Sequence, residues 1–476
     1  MLLLLKDFFK RTFELYKKYT PLLIIVALFL GILLAKYIPA VLEAANFLVS
    51  KLIDGIVFFA PFAIFVILAP SVAKMMKARK ESSFAGFVII WFGITRIFAG
   101  VWAAIFTVII LRLPILPSSE TGAVSIASVF GENLVVLKDL LLKSVFFGAI
   151  WVSVIVGIIA YFKQKLYNGL QKAAGAIETL GDYIEPVIPV LMLLLGAYIY
   201  SLPQELNQSV DEQTLSSIAQ ANLGTLNLFG WVLDINTEFG LVWVYIVGSV
   251  LIGIGCFLWQ AMQLAILKRY LDDFSIKSFF TSYWTKIYPL AWSTSSEVIS
   301  MPLNMSLVKR QYTKISSIVR RLIIGMGAYM NINGTTMHVI LLAGIVAVLV
   351  GYRPSLVQLI LGVPIIALVG YGVPGIPGEL VLFAVPMVKI LNLPEPIIPM
   401  FMALYLALQV GLPDSFRTGA NVTDNGIYAI GLDKLYKKKF QVDSNEDLKE
   451  KAVQEENGEK TQQEAQEELE LVGSRE

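Results

Sequence analysis

The sequence predicts an all-α, polytopic membrane protein with eight transmembrane helices and two re-entrant helical hairpins. Three observations predict it. Long apolar runs recur along the chain, basic clusters fall in alternate loops, and two apolar segments near the C-terminus are broken by polar or Gly/Pro clusters. The 476 residues are 56% hydrophobic and only 16% charged, against about 25% charged in soluble chains. Runs such as Pro21 to Ala35 and Phe84 to Leu111 approach or exceed the ~20 residues that cross a bilayer as a helix. None alternates apolar with polar residues as a membrane β-barrel strand does.

Taken in order, Lys6, Lys10, Arg11, Lys17 and Lys18 precede the first run, and no signal peptide is visible. The positive-inside rule places this end in the cytoplasm. Two spans later come Lys74, Lys77, Arg79 and Lys80; two more bring Lys163, Lys165 and Lys172; two more bring Lys268, Arg269 and Lys277. The alternate segments Leu113 to Leu137 and Pro203 to Glu238 contain no Lys or Arg. Six spans follow with no correction to the alternation.

Tyr283 to Met305 is only moderately apolar, has a polar centre at Ser293 to Glu297, and is flanked by basic residues on both sides. It is expected to dip in from the cytoplasm and return. Arg320 and Arg321 open a full span ending near Val350. Ser355 to Leu393 is broken by Gly372, Pro374, Gly375, Pro377 and Gly378, and is expected to re-enter from outside. A last span runs from about Pro396 to Lys434. Hairpin and span, then hairpin and span, from opposite sides, make an inverted repeat of Tyr283 to Val350 against Ser355 to Leu432. Paired interruptions of this kind point to a binding site at membrane depth. From Gln441 on, 12 acidic residues stand against 4 basic ones without apolar periodicity, which predicts a cytoplasmic tail that is disordered or a frayed helix.

The last span carries Asp414, Arg417, Thr418, Asn421 and Asn425 on one helical stripe. Charges inside an apolar helix are costly and mark ligand or ion paths. Arg417 offers a planar fork for a carboxylate, and Asp414, one turn away, can accept from an ammonium. The pair suits a zwitterion with an extra acidic group, or else neutralises itself in a structural role. Ser293, Thr294, Ser295, Ser296 and Glu297 form the first hairpin tip, whose hydroxyls and N–H groups can bind a carboxylate. Asn331-Ile332-Asn333-Gly334-Thr335 lies mid-span and is expected to unwind toward a cavity, or to make a polar interhelical contact.

The Ser-rich hairpin, Asn-x-Asn-Gly-Thr, Gly-Val-Pro-Gly and Asp-x-x-Arg-Thr-x-x-Asn-Val-Thr stand in one order and spacing. In these motifs the chain, from about Ala291 to Lys434, resembles the dicarboxylate/amino acid:cation symporter family. That family includes bacterial glutamate and aspartate carriers and mammalian excitatory amino acid transporters. The resemblance implies a homotrimer working as an elevator. Residues 1–20 would be a cytoplasmic segment and 21–282 would carry helices one to six. Helices one, two, four and five would form the scaffold; three and six would travel with a transport core at 283–440, ahead of the tail at 441–476. Gly372 to Gly378 would be the extracellular gate. By position, Arg417 would hold the substrate side-chain carboxylate and Asp414 its amino group. Thr418, Asn421, Thr335 and Gly375 would complete the site, with the backbone of Ser296, Glu297 and Val298 on the α-carboxylate. An acidic amino acid such as glutamate or aspartate is then the expected substrate. A C4-dicarboxylate is the alternative, although that branch lacks the amine-binding Asp.

Several family positions have changed. Asn333 and Asn425 replace sodium-binding carboxylates, and Val410 replaces another Asp. A hard cation needs oxygen ligands, and anionic ones balance its charge. Asp424 is adjacent to Asn425 but ~100° round the helix. Asn331 keeps its amide. Thr95-Arg96 aligns with a small-hydroxyl pair of the family, so Arg96 either stands in for a bound cation or faces a cytoplasmic vestibule. Glu297, replacing a family serine, and His338, the only histidine, are candidates for carrying protons, or are structural. A second arginine often found at Ser295 or Ser415 is missing. Sodium coupling is therefore expected to be degraded, with protons or no ion in its place.

Other classes fit less well. Val369-Gly370-Tyr371-Gly372 echoes a potassium filter, but Leu368 precedes it and Pro374 and Pro377 follow. A transport-dead sensor or scaffold would explain lost sodium ligands, but not the retained Asp414 and Arg417. No enzyme motif or metal constellation is visible, and no cofactor is expected. The one cysteine, Cys256, forms no internal disulfide. The basic residues sit in short loops, which argues for an inner-membrane protein with both termini cytoplasmic and against nucleic acid as a partner.

Overall fold

The structure, a computed structural model, describes residues 22–77, 79–117, 145–237, 239–370 and 380–440. The expected N-terminal segment, the gate residues Gly372 to Gly378 with Gly375 among them, and the acidic tail lie outside the described residues.

Helix α1 (Leu22–Tyr37) ends just before Pro39, which opens α2 (Pro39–Lys77). Next come α3 (Arg79–Leu111), α4 (Val145–Phe162), α5 (Gln164–Ile184) and α6 (Ile188–Ser209). On α1, α3 and α4 the outward-facing side chains are largely apolar. On α3, Ile90, Ile94, Phe98, Ile105 and Ile109 are exposed while Val88, Phe92, Ala99 and Ala103 are buried. A helix apolar on both faces is at home only in lipid or protein.

Lys165 and Lys172 lie on α5, a helix with a polar face, rather than in a loop. The base-free loop after α6 also has structure. It holds α7 (Glu212–Gln220), capped by the Asp211 side chain on Thr214 N–H, and an antiparallel ribbon of β1 (Thr225–Leu228) and β2 (Trp231–Asp234). The all-α expectation is corrected to that extent. Phe229 and Gly230 both take positive φ, and Asn227 Oδ1 accepts from Gly230 N–H, so the two-residue turn matches the twist of the strands.

After α8 (Gly240–Tyr270), a π-helical stretch (Phe279–Trp284) leads into α9 (Thr285–Thr294), which contacts α10 (Glu297–Gln311) across a short turn. Then follow α11 (Ser317–Met330), α12 (Asn333–Leu349), α13 (Leu356–Val369), α14 (Val381–Leu391), α15 (Ile398–Leu408) and α16 (Leu412–Phe440).

The α11–α12 break at Asn331–Ile332 falls where unwinding was expected. The last span, expected to be continuous, is broken between α15 and α16 with a 65° bend. Gly411 supplies a positive φ there, and Pro413 can only begin a new helix. The Tyr245 hydroxyl stitches this break, donating to Val410 O at 2.9 Å and accepting from Leu412 N at 2.7 Å. Irregular backbone at depth needs such partners.

Among the described residues, Ser83–Leu111, Gly240–Tyr270 and Ser317–Leu349 are each long and apolar enough to cross a membrane, and α15 with α16 passes the same test only when the bent pair is taken together. The expected first, second, fourth and fifth spans fall on shorter apolar helices, among them Leu22–Tyr37, Trp151–Phe162 and Ile188–Ser201. The core sits around α12 and α16. Helix α12 packs on α3, α8, α15 and α16, and α16 packs on α8, α9, α10 and α11.

Candidate functional site

Three interruptions of helix meet beside α16, the α9–α10 tip, the α11–α12 break and the α15–α16 break, and the end of α13 abuts the α11–α12 break through Gly370 and Ile332. At the tip, Ser295 takes a left-handed conformation (φ 46°) that ends α9 and turns the chain. Ser296 caps α10, accepting from Ile299 N. Ser295 Oγ lies 3.1 Å from Ser415 Oγ, fastening the tip to the first turn of α16.

One turn further, Arg417 is fully buried. Its Nε donates to Asp414 Oδ1 at 2.5 Å and its Nη1 to Thr335 Oγ1 at 2.9 Å. Glu297 Oε1 stands 4.0 Å from the same Nη1. Asn421 Nδ2 donates to Glu297 Oε1 (2.7 Å) and to Thr335 Oγ1 (3.0 Å), while Gly334 N–H donates to Asn421 Oδ1 (2.6 Å). The hairpin tip, the start of α12 and α16 thus share one hydrogen-bonded group around a guanidinium flanked by two carboxylates. Gly334 allows it: a Cβ there would lie 2.3 Å from the Arg417 carbonyl oxygen. Thr418 Oγ1 bonds back to Asp414 O, and Val298 is buried in the first turn of α10.

Asp414 and Ser415 also line a cavity of about 290 Å³. Its other walls include Ser293 to Ser295 of the tip, Asn46 of α2 and Tyr198 of α6. That volume is near the lower end for small-molecule sites. A larger cavity of about 740 Å³ between α3, α8 and α16 is almost wholly apolar and lies away from the Arg417 group.

The ion-coupling candidates divide into four places. Asn331 Nδ2 donates to Asn425 Oδ1 (2.8 Å) and Asn421 O (3.1 Å), so Asn425 faces the helix break. Asp424 faces the other way. Its Oδ2 accepts from Asn333 Nδ2 (2.9 Å), Trp259 Nε1 (3.1 Å) and Gln263 Nε2 (3.2 Å). Both amides also donate to the Tyr428 hydroxyl. Sequence reasoning missed Trp259, Gln263 and Tyr428. Two glutamines one turn apart in apolar α8, Gln260 and Gln263, were the available signal.

Arg96 does not reach a vestibule; it is fully buried. Its guanidinium donates to Met330 O at the end of α11 and to Ala367 O in the last turn of α13. His338 is buried on α12, and neither ring nitrogen has a hydrogen-bond partner among the described residues.

Chemically, the Arg417 group can exchange an internal ion pair for one with a zwitterion. Residues 21–435 match the family model described as the sodium:dicarboxylate symporter family. No curated protein matches the chain.

Proposed function

The chain belongs to the sodium:dicarboxylate symporter family, and on that premise we propose that it is a secondary active transporter of acidic amino acids such as glutamate and aspartate. Family membership makes it an integral membrane protein with a small-molecule substrate. The finer reading rests on one observation: a buried Asp414–Arg417 pair, 2.5 Å apart, whose Asp414 lines a cavity beside the hairpin tip while Arg417 lies buried behind it.

A substrate carboxylate would displace Asp414 from the Arg417 fork, and the substrate ammonium would take the released Asp414. Each buried charge keeps a partner throughout, which matters because removing one partner of a buried pair costs about 3–5 kcal/mol. A C4-dicarboxylate has no ammonium to offer Asp414, and this places it second.

Glu297 shapes the coupling. Its carboxylate already stands beside Arg417, and an anionic substrate brings a further negative charge to the same spot. Proton binding to Glu297 would relieve the repulsion, so proton and substrate enter together and uptake rises as pH falls. His338 has no hydrogen-bonded route to the site among the described residues and is the weaker proton carrier. Helices α3 and α8 with residues 283–440 would move as an elevator against α1, α2 and α4 to α6. The assembly would be a homotrimer, in the inner membrane, with both termini in the cytoplasm.

The test is uptake of labelled aspartate, glutamate and succinate into proteoliposomes. Aspartate and glutamate should compete for one saturable process, with succinate at least ten-fold weaker. Succinate transport exceeding aspartate transport would transfer the assignment to the dicarboxylate branch. Absence of uptake and of ligand binding alike would leave a sensor or scaffold.

A further inference from the structure

The carbonyl accounting at two helix ends carries a separate conclusion about ions. The last four carbonyls of a helix have no partner within it and carry its negative partial charge. At the end of α13, Gly370 N–H bonds Ile366 O and Leu368 O, and Ala367 O between them accepts from Arg96. At the end of α11, Gly334 N–H, the ordinary i+4 partner of Met330 O, goes to Asn421 Oδ1 instead. Arg96 takes both of these carbonyls with one guanidinium.

The two helix ends are pressed together at this point. A Cβ added to Gly370 would fall 1.9 Å from Ile332 Cδ1 and 3.4 Å from Arg96 Nη1. The cation therefore lies where the unwound turn and the first arm of the second hairpin touch. Unwound carbonyls and half-helix C-termini are the groups with which membrane transporters hold monovalent cations. An arginine side chain stays protonated even when buried, so the position is permanently charged.

We propose that Arg96 is a built-in cation that fills a monovalent-cation site between α3, α11 and α13. It clamps the hairpin arm onto the α11–α12 break with no bound ion. Ligand binding in this protein is then independent of sodium, and emptying the position exposes a site that sodium can occupy. The inference borrows the transporter reading only for its second readout, ligand affinity; the first readout stands without it.

The first readout is the melting temperature of purified protein in choline chloride against sodium chloride at equal ionic strength. The wild type should melt at the same temperature in both salts. Arg96→Ser should melt lower in choline and recover on adding sodium chloride or a few millimolar guanidinium chloride. The second readout is aspartate affinity. It should vary less than two-fold between salts for the wild type. For Arg96→Ser it should fall at least ten-fold in choline and recover in sodium. If Arg96→Ser does not fold, Arg96→Lys keeps a cation and should remain indifferent to sodium. A wild type that needs sodium overturns the proposal. So does an Arg96→Ser protein that neither sodium nor guanidinium restores, or an Arg96→Lys protein that sodium stabilises. If aspartate binds neither protein but the salt-dependent melting holds, the substrate assignment fails and the cation site stands.

Discussion

Helices α3 and α16 are of similar length, 33 and 29 residues, yet they use their side chains in opposite ways. Beyond its first turns, α3 is apolar almost throughout, shows Ile and Phe on its outer face, and hides one charge, Arg96. Helix α16 hides Asp414, Ser415, Arg417, Thr418, Asn421, Thr423, Asp424 and Asn425. Arg96 on α3 and Asp414, Arg417 and Asp424 on α16 are all buried against other elements rather than shown to lipid. Outer-face residues of α3 place the helix in the membrane, whereas single polar positions on either helix decide what is bound. Substitutions on outer and inner faces should therefore differ sharply in effect.

The largest effect is expected at Arg417. Arg417→Ala removes the fork and leaves Asp414 and Glu297 facing each other without it. Uptake of aspartate in proteoliposomes should fall at least ~100-fold, in line with the 3–5 kcal/mol cost of breaking a buried pair. Uptake within ten-fold of wild type would mean that the pair is structural and the substrate binds elsewhere.

Next comes Gly334→Ala. The added methyl collides with the Arg417 carbonyl and lies 3.0 Å from Asn421 Oδ1, so α12 must withdraw from α16. Overpacking of this kind costs about 1–3 kcal/mol. Aspartate affinity and melting temperature should both drop. An unchanged affinity would show that the α12–α16 junction is not part of the binding group.

Glu297→Gln should act on pH dependence more than on maximal rate. With the neutral amide in place, no proton is needed to admit an anionic substrate. The rise of uptake toward low pH expected of the wild type should flatten. A variant that keeps the wild-type profile would remove Glu297 from coupling and return attention to Asp424 and His338.

Much of this arrangement was legible in the sequence, for reasons that also explain what was not. Asp414, Arg417, Thr418 and Asn421 share a stripe because helical spacing alone puts them there, and Gly334 beside two amides marked the α11–α12 break. The partners of Arg96 were hidden because they are backbone carbonyls, which any residue supplies. The direction of Asp424 depended on how α8 packs against α16. The α15–α16 bend had Gly411 and Pro413 as its signal, but Tyr245, which satisfies the broken backbone, is 165 and 167 residues away from the groups it bonds. The β-ribbon turn uses Phe229-Gly230 in place of Asn-Gly, so the usual hairpin signature was missing.

The smallest effects should separate the inner network of α8 from the outer face of α3. Trp259→Phe removes one of three N–H donors to Asp424 Oδ2 while Asn333 and Gln263 remain. Loss of one such bond costs about 1–3 kcal/mol when it leaves a buried acceptor short. A modest fall in melting temperature is expected. Phe98 on α3 is 62% exposed in the isolated chain and faces the larger apolar cavity. Phe98→Ala takes away apolar surface whose alternative partner is lipid, as apolar as the ring itself. Its effect on melting temperature in lipid should be smaller than that of Trp259→Phe, although it deletes more atoms. The reverse order would mean that the outer face of α3 packs against protein, and that the contrast between α3 and α16 holds only for a single chain.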